Sequence, residues 1–403
     1  MSARLFIAVS PGEIWAALGD EGELKALQLL RTGAPSQIGA IILGRVVALR
    51  PELPAALVEI GLDRPGFLDA RDYDRKKGLA GVTEGQSLIL EVVKDARADK
   101  AAGLRALRVA GEVRAAIEAA AQKAKPPARL QNPPPPIATL LQEFSKLALE
   151  RIVVDDRAAL AEARAFLARH NPALAERLEL HKDPAPIFEE AGLAVAIDEA
   201  LSPRVALPGG GALIIEPTHA ATMIDVDGGP ASALQANLAA AKAVGRQIQL
   251  RNLAGPIVVD FVTLKKRADR DKVWAALKAA LADDREKPEL LGWTRLGHIE
   301  LVRRRRLPSL MESLGERSAD GAWRKTALTV ALEALRAVHR AAKLQPGRAP
   351  AVILHPEIAA ALGEGAGLAA RQALEQRLGE ALAIESQPSR ARDSFDIRPR
   401  SPI

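Results

Sequence analysis

Two stretches, ALIIEPTHAATMIDVDGG at Ala212–Gly229 and PIVVDFVTL at Pro256–Leu264, decide how this chain is read. ALIIEP, ATMIDVD and PIVVD are short apolar runs rich in β-branched residues and bounded by Pro, Gly and Asp, as strands are. Between them, residues 231–250 repeat apolar positions at helical spacing, and residues 269–284 do so again. This strand–helix–strand–helix alternation predicts an α/β layer. Two acidic residues fall where such strands end, Asp225 in MIDVDGG and Asp260 in IVVDFVTL. Side chains at the carboxyl ends of neighbouring strands converge on one crevice. Two carboxylates there repel each other unless a cation or a proton intervenes. Mg2+ suits such a pair, because it takes one or two carboxylates, keeps several waters and accepts phosphate oxygens. A plainer reading stays open: Asp225 opens a turn before Gly228–Gly229 and Asp260 is a cap. Against it, an aspartate within IVVDF is costly to bury unpaired. The residues alone carry the argument as far as a candidate divalent-metal site.

Outward from this block, residues 3–30 alternate as short strands with turn residues between them. From 38 to 111 five further strand-like runs follow (IGAIILGRVVAL, AALVEIG, RPGFLDA, SLILEVV, GLRALRVAG), separated by Gly, Pro and Asp. Five such strands predict a small OB-type barrel, a fold that commonly binds oligonucleotides. EVRAAIEAAAQKAK is helical, and PPARLQNPPPP (Pro126–Pro136) reads as a stiff connection, excluded from helix and from a central strand. Helices are expected over 137–149, 157–169 and 185–201, with a short strand at RIVVDD. Residues 308–321 read as a linker and 322–344 as a long helix. A small α/β tail follows, with strand APAVILHP and helix 367–382.

The 403 residues suffice for two to four compact units. A net charge of +6 favours a polyanionic partner, although an alanine- and arginine-rich composition by itself raises the charge. No cysteine is present, which excludes disulfides, thiolate zinc sites and cysteine nucleophiles together. The histidines are scattered, with no pair at metal-binding helical spacing. The opening MSARLFIAVSPGE lacks the basic-then-apolar run of a signal peptide, and no apolar stretch approaches the roughly 18 residues of a membrane span. The expectation is a cytoplasmic chain without a membrane partner.

At this point the residues resemble a known family. ALIIEPTHAATMIDVDGG, then NLAAAKAVGRQIQLRNLAGPIVVDFVTL, then LGHIELVRRRRLPSL are similar in order and spacing to the RNase E/G endoribonucleases. GRVVALRPELPAALVEIGLDRPGFLDARD resembles that family's S1-type OB domain, and RLFIAVSPGEIWAALGDEGEL the first strands of its RNase H-like subdomain. The resemblance implies a mixed α+β, multidomain architecture. An RNase H-like subdomain would comprise 1–37 and 180–220, with an S1-type OB domain at 38–111. A reduced helical segment at 112–179 would replace the family's 5′-sensor region. A DNase I-like α/β catalytic subdomain would span 221–310, with a linker and small C-terminal domain at 311–403.

It also implies Mg2+-dependent hydrolysis of single-stranded RNA, leaving 5′-phosphate and 3′-hydroxyl ends. Asp225 and Asp260 fall on the family's metal-binding aspartates. Arg303 and Arg305 fall on a basic stretch where a guanidinium would brace the scissile phosphate, or form a solvated basic strand. Phe67 falls on a base-stacking aromatic, a role that competes with simple core packing. Lys100 matches an RNA-contacting lysine, and Lys94, Arg97, Arg105 and Arg108 make its neighbourhood basic.

The chain departs from the family at several places. Asp227 stands where asparagine is usual and either binds metal itself or perturbs the site. Thr263 stands where an acidic residue is common. Leu57 replaces a second aromatic of the OB face, at a cost of about 1–3 kcal/mol in RNA affinity. The adjacent arginine and threonine of the 5′-monophosphate sensor are absent, so cleavage is expected to be independent of the 5′ end. LGERSADGAW occupies the place of the family's CPxC zinc link, so neither zinc nor a zinc-linked tetramer is expected, while a homodimer is left open. The runner-up reading is an RNA-binding relative whose catalysis is weakened or lost.

Overall fold

The computed structural model describes residues 3–20, 22–32, 37–96, 100–144, 147–305, 308–318, 323–344 and 350–398. The chain divides into two units, residues 34–139 and the remainder.

Residues 34–139 carry a closed five-stranded barrel. Strands Ile41–Arg50, Ala55–Glu59, Gly66–Asp69, Gly103–Ala106 and Ser87–Lys94 pair in that circular order, the last returning to Ile41–Arg50. These are the five runs expected from alternation, and the barrel is of the OB type predicted. Ile42, Val58, Leu68, Leu90 and Leu104 fill its interior. The proline-rich connection is not wholly unpaired. Ala128–Gln131, which lies between the prolines and keeps its own N–H groups, adds an edge strand beside Ile41–Leu43.

In the larger unit a five-stranded sheet has the order Leu178–Leu180, Leu149–Val154, Ala3–Ser10, Glu13–Asp20 and Glu23–Arg31. The first three strands are parallel and the remainder antiparallel. The strand expected at RIVVDD is Leu149–Val154, and with Leu178–Leu180, which was not expected, it joins a sheet begun by the first residues of the chain. The helix Ala327–Leu344 closes on this sheet, where buried Glu13 receives Arg31 at 3.3 Å and also Arg336. The C-terminal region packs that helix and Gly365–Leu378 over the strands Ile384–Ser386, Ala351–Leu354 and Phe395–Arg398.

A six-stranded sheet holds the stretches Ala212–Gly229 and Pro256–Leu264. Its order is Arg204–Ala206, Ala212–Pro217, Thr222–Asp227, Gly255–Asp260, His298–Arg303, Glu289–Trp293. Only Thr222–Asp227 and Gly255–Asp260 run parallel, joined by the crossover helix Ala233–Leu250. That helix and Arg267–Ala280 cover one face of the sheet, burying Ile224, Val226, Ile257, Val259, Ile299 and Leu301 with Val244, Ile248, Val273 and Leu277. The alternate residues line the opposite face, where Asp225, Asp227, Asp260 and Glu300 are exposed.

Candidate active site

Asp225 and Asp260 are direct register partners across the parallel strand pair. Register partners on adjacent strands share a face, and their backbones lie about 4.8 Å apart. Both side chains are exposed on the open face, while Ile224 and Val259 point into the helix-covered core. On the far flank of Asp260 its antiparallel partner is His298, whose Nε2 stands 3.5 Å from Oδ1 of Asp260. A row Asp225–Asp260–His298 therefore crosses three strands. Asp227 lies on the same face at the end of its strand. The amide of Gly229 donates to its carboxylate at 3.2 Å and Arg204 approaches at 3.3 Å, and these contacts, the Gly229 bond first, hold it below the usual carboxylate range.

The turn after Asp227 is tied down by glycine. Gly229 has φ of +56°, and a Cβ there would lie 2.5 Å from the carbonyl oxygen of Gly210. Only glycine satisfies both demands without strain. Beyond Asp260 the chain leaves the sheet through a second fixed point that sequence reading missed. Asn237, fully buried in the crossover helix, accepts from the Val262 amide at 3.0 Å and donates to the Val262 carbonyl at 2.7 Å. The one available signal was an asparagine among alanines on a buried helix face. Thr263 follows this clamp.

The donor set suits a hydrated hard cation. Adjacent carboxylates need a counter-charge, Mg2+ accepts one or two of them and fills its shell with water, and the open face leaves room for that water. Among the described residues no three His, Asp or Glu side chains converge as a ready-made cage. The pair thus fits an ion held by few protein ligands and does not resemble a closed structural site.

Arg303 requires correction. It sits on the strand that carries His298 but at an odd offset from it, so it faces the helix-covered side of the sheet. Its Nε and Nη2 donate to Asp284 at 2.9 and 3.2 Å, and Nη1 to Asn252 at 2.8 Å and the Leu253 carbonyl at 3.0 Å. Both partners of the ion pair are buried. Arg303 holds the fold together on the face away from Asp260. Arg305 is exposed but sits past the other end of the strand. Arg303 pairs with Gly255 and His298 with Asp260, a span of about 16 Å along the strand. Arg305 pairs there with Glu312 and reaches the Ala254 carbonyl at 3.5 Å. The structure does not bring either arginine to the aspartates.

On the barrel, Phe67 pairs with Leu57 on one side and Gly103 on the other, and Gly103 pairs with Lys94. Leu68 points inward, which leaves Phe67 half-buried on the outer face. A Cβ on Gly103 would lie 3.1 Å from Cβ of Lys94 and 3.3 Å from its Cγ and Cδ, so glycine leaves room for the lysine stem to lie over that strand. The arrangement is an apolar ring with a flexible cation two strands away. Arg105 is paired with Glu91 at 2.7 Å. Lys100 is exposed, and Arg97 lies outside the described residues.

The profile of the Ribonuclease E/G family matches residues 96–306. Ribonuclease G of Haemophilus influenzae is 26% identical over 486 aligned residues, which cover 98% of this chain and 99% of that protein. Ribonuclease G of Escherichia coli is 27% identical over 488 residues, with the same coverage of 98% and 99%. Ribonuclease E of Nostoc is 36% identical over 212 residues, 50% of this chain and 31% of that protein. The alignments to the first two exceed the 403 residues present here, so those relatives carry segments that this chain lacks. The profile match spans the strand pair bearing Asp225 and Asp260 together with its crossover helix, and the chain belongs to the Ribonuclease E/G family.

Proposed function

We propose that this endoribonuclease hydrolyses phosphodiester bonds in single-stranded RNA with Mg2+, using the open face of the six-stranded sheet. The observation that carries this reading is the register match of Asp225 with Asp260, two exposed carboxylates held one strand apart by a rigid parallel ladder. Asp225 and Asp260 would hold the ion, which when bound polarises the phosphodiester and lowers the pKa of a water. The chain supplies the placement. Asn237 and the crossover helix fix the exit of the Asp260 strand, and Gly229 fixes the turn after Asp227. Hydrolysis breaks the bond between phosphorus and the 3′-oxygen, leaving a 5′-phosphate and a 3′-hydroxyl.

On the barrel unit, Phe67 would stack on a base while Lys94 and Lys100 meet phosphates, a combination that tolerates sequence and weakens steeply with salt. We read the five-stranded sheet as RNase H-like, the barrel as S1-type and the six-stranded sheet as DNase I-like. Action in the cytoplasm and a homodimer without zinc belong to the same reading. Cleavage is independent of the 5′ end, because the stretch that follows the barrel, from LRVAG into EVRAAIEAAAQKAK and the proline-rich link, carries no adjacent arginine and threonine of a monophosphate sensor.

Two assays test this. An AU-rich oligonucleotide should be cut only when Mg2+ is supplied, and Asp225→Asn or Asp260→Asn should each abolish cutting. Rates on 5′-monophosphate and 5′-triphosphate forms of that oligonucleotide should agree within a few-fold, and a tenfold preference for the monophosphate overturns the second point. The competing reading, an RNA binder without catalysis, draws on Asp227, which is engaged by Arg204 where the family usually carries asparagine. It predicts retained RNA affinity with no magnesium-dependent product.

A further inference from the structure

The function proposed above leaves one polar side chain beside the aspartates without a task. His298 opens its strand in register with Asp260, on the flank away from Asp225. Its backbone is fixed by Thr294 from two directions. The Thr294 hydroxyl accepts from the His298 amide at 3.1 Å, and the Thr294 amide donates to the His298 carbonyl at 2.8 Å. The hairpin between them turns through Gly297 at φ +94°, so the chain reverses tightly next to the site. The imidazole is mostly covered, with 23% of its surface exposed, and its Nε2 lies 3.5 Å from Oδ1 of Asp260.

We propose that His298 is a positioning residue for Asp260. This rests on reading Asp225 and Asp260 as a divalent-cation site. At 3.5 Å the Nε2 of His298 is within ion-pair reach of Oδ1 without a formed hydrogen bond, and an N–H there, closing on Oδ1, would occupy one oxygen of the carboxylate and restrict its rotation. The second oxygen is then the one available toward Asp225 and a shared ion. Groups that orient a ligating side chain typically change metal affinity or activity roughly 10–100-fold when removed. Asp260 is half-exposed and accepts no side-chain hydrogen bond among the described contacts, so His298 is the one side chain placed to restrain it from the flank. The role needs only a donor at the right reach. Glutamine at 298 carries its amide N–H to about the same place, whereas asparagine stops short.

Binding of Mn2+ to the full chain, read from the paramagnetic resonance signal of the free ion and without RNA, tests this directly. His298→Ala should weaken Mn2+ binding roughly 10–100-fold, His298→Gln should recover most of it, and Asp260→Asn should remove it. Wild-type affinity in His298→Ala, with binding lost in Asp260→Asn, overturns the positioning role and leaves the cation site standing. Wild-type affinity in both Asp225→Asn and Asp260→Asn sinks the cation site and the inference with it. Should His298→Ala fail to melt cooperatively, His298→Asn takes its place. Weakened binding in that variant supports the role, and undiminished binding overturns it.

Discussion

Arg303 and Asp284 form a buried ion pair on the face of the six-stranded sheet opposite Asp260, with Nε and Nη2 donating to the two carboxylate oxygens at 2.9 and 3.2 Å. The geometry is the bidentate fork that guanidinium and carboxylate prefer. Removing one partner strands the other charge in a dry environment, which typically costs 3–5 kcal/mol. Arg303→Ala and Asp284→Ala should each lower the melting temperature sharply, and by similar amounts. The part of either variant that remains folded at low temperature should cut RNA at near the wild-type rate. A normal melt combined with lost cleavage in Arg303→Ala would instead return Arg303 to the reaction.

Asn237 is the second place where stability and chemistry separate. Its side chain satisfies both the N–H and the carbonyl of Val262, immediately beyond Asp260. Asn237→Ala leaves those two backbone groups unpaired in a buried setting, at a cost of about 2–3 kcal/mol. Asn237→Asp keeps the acceptor but sets a carboxylate oxygen against the Val262 carbonyl in a fully buried place, and should fall below alanine. Urea denaturation supplies the ranking. Cleavage should drop in the same order, because the exit of the Asp260 strand loosens.

The barrel face makes a prediction in both directions. Phe67→Ala should weaken binding of a short single-stranded oligonucleotide by about 1–3 kcal/mol, as expected for one lost stacking platform. Leu57 is the cross-strand partner of Phe67 and lies half-buried beside it. Leu57→Phe places a second ring there and should tighten binding. Lys94→Ala should flatten the salt dependence of binding, since one phosphate contact is removed. Fluorescence anisotropy at two salt concentrations measures all three. No change in Phe67→Ala would assign that ring to packing alone.

Asp155 and His339 line one cleft of the larger unit together with Asp156, His181, Lys343 and Arg377. Burial pushes the Asp155 carboxyl up to about 6, from an ordinary 3.8. The folded chain holds that proton more tightly than the unfolded one, so this group makes stability fall as pH rises from about 4 to 6. Burial, and then the charges of Lys343 and Arg377, push His339 down to about 4 from an ordinary 6.5. Here the unfolded chain takes the proton first, and stability rises with pH from about 4 to 6.5. Each slope reaches at most about 1.4 kcal/mol per pH unit, and the two oppose. Urea midpoints of wild type should therefore change little from these groups between pH 4.5 and 6. Asp155→Asn, which keeps an acceptor for the Val9 amide, should show midpoints that rise with pH and exceed wild type at pH 7.5. His339→Gln should show the opposite trend across the acid range.

Several parts of this molecule are legible in local sequence. The five barrel strands, the crossover helix and the Asp225 and Asp260 strands each announce themselves by periodicity and by the turn residues that bound them. Ile224, Val226, Ile257 and Val259 alternate with their polar neighbours, and that alternation already sorts the two faces of each strand. The aspartates could be nominated because carboxylates within apolar strands are hard to place elsewhere. The Ribonuclease E/G resemblance then followed from the order of these blocks along the chain.

What local sequence could not supply is register between distant segments. Strand Leu149–Val154 joins the sheet of Ala3–Ser10 by a pairing across some 140 residues, and no period within either strand encodes that choice. Arg303 has the same character. A one-residue offset within a strand reverses the face a side chain occupies, so a basic run by itself leaves open which arginine meets solvent and which meets Asp284. The partners of His298 and Asn237 became visible only once neighbours on other elements were known. Side-chain type and spacing are properties of the chain, whereas a partner is a property of the packed sheet, and here that sheet alone set Asp225 opposite Asp260 and turned Arg303 away.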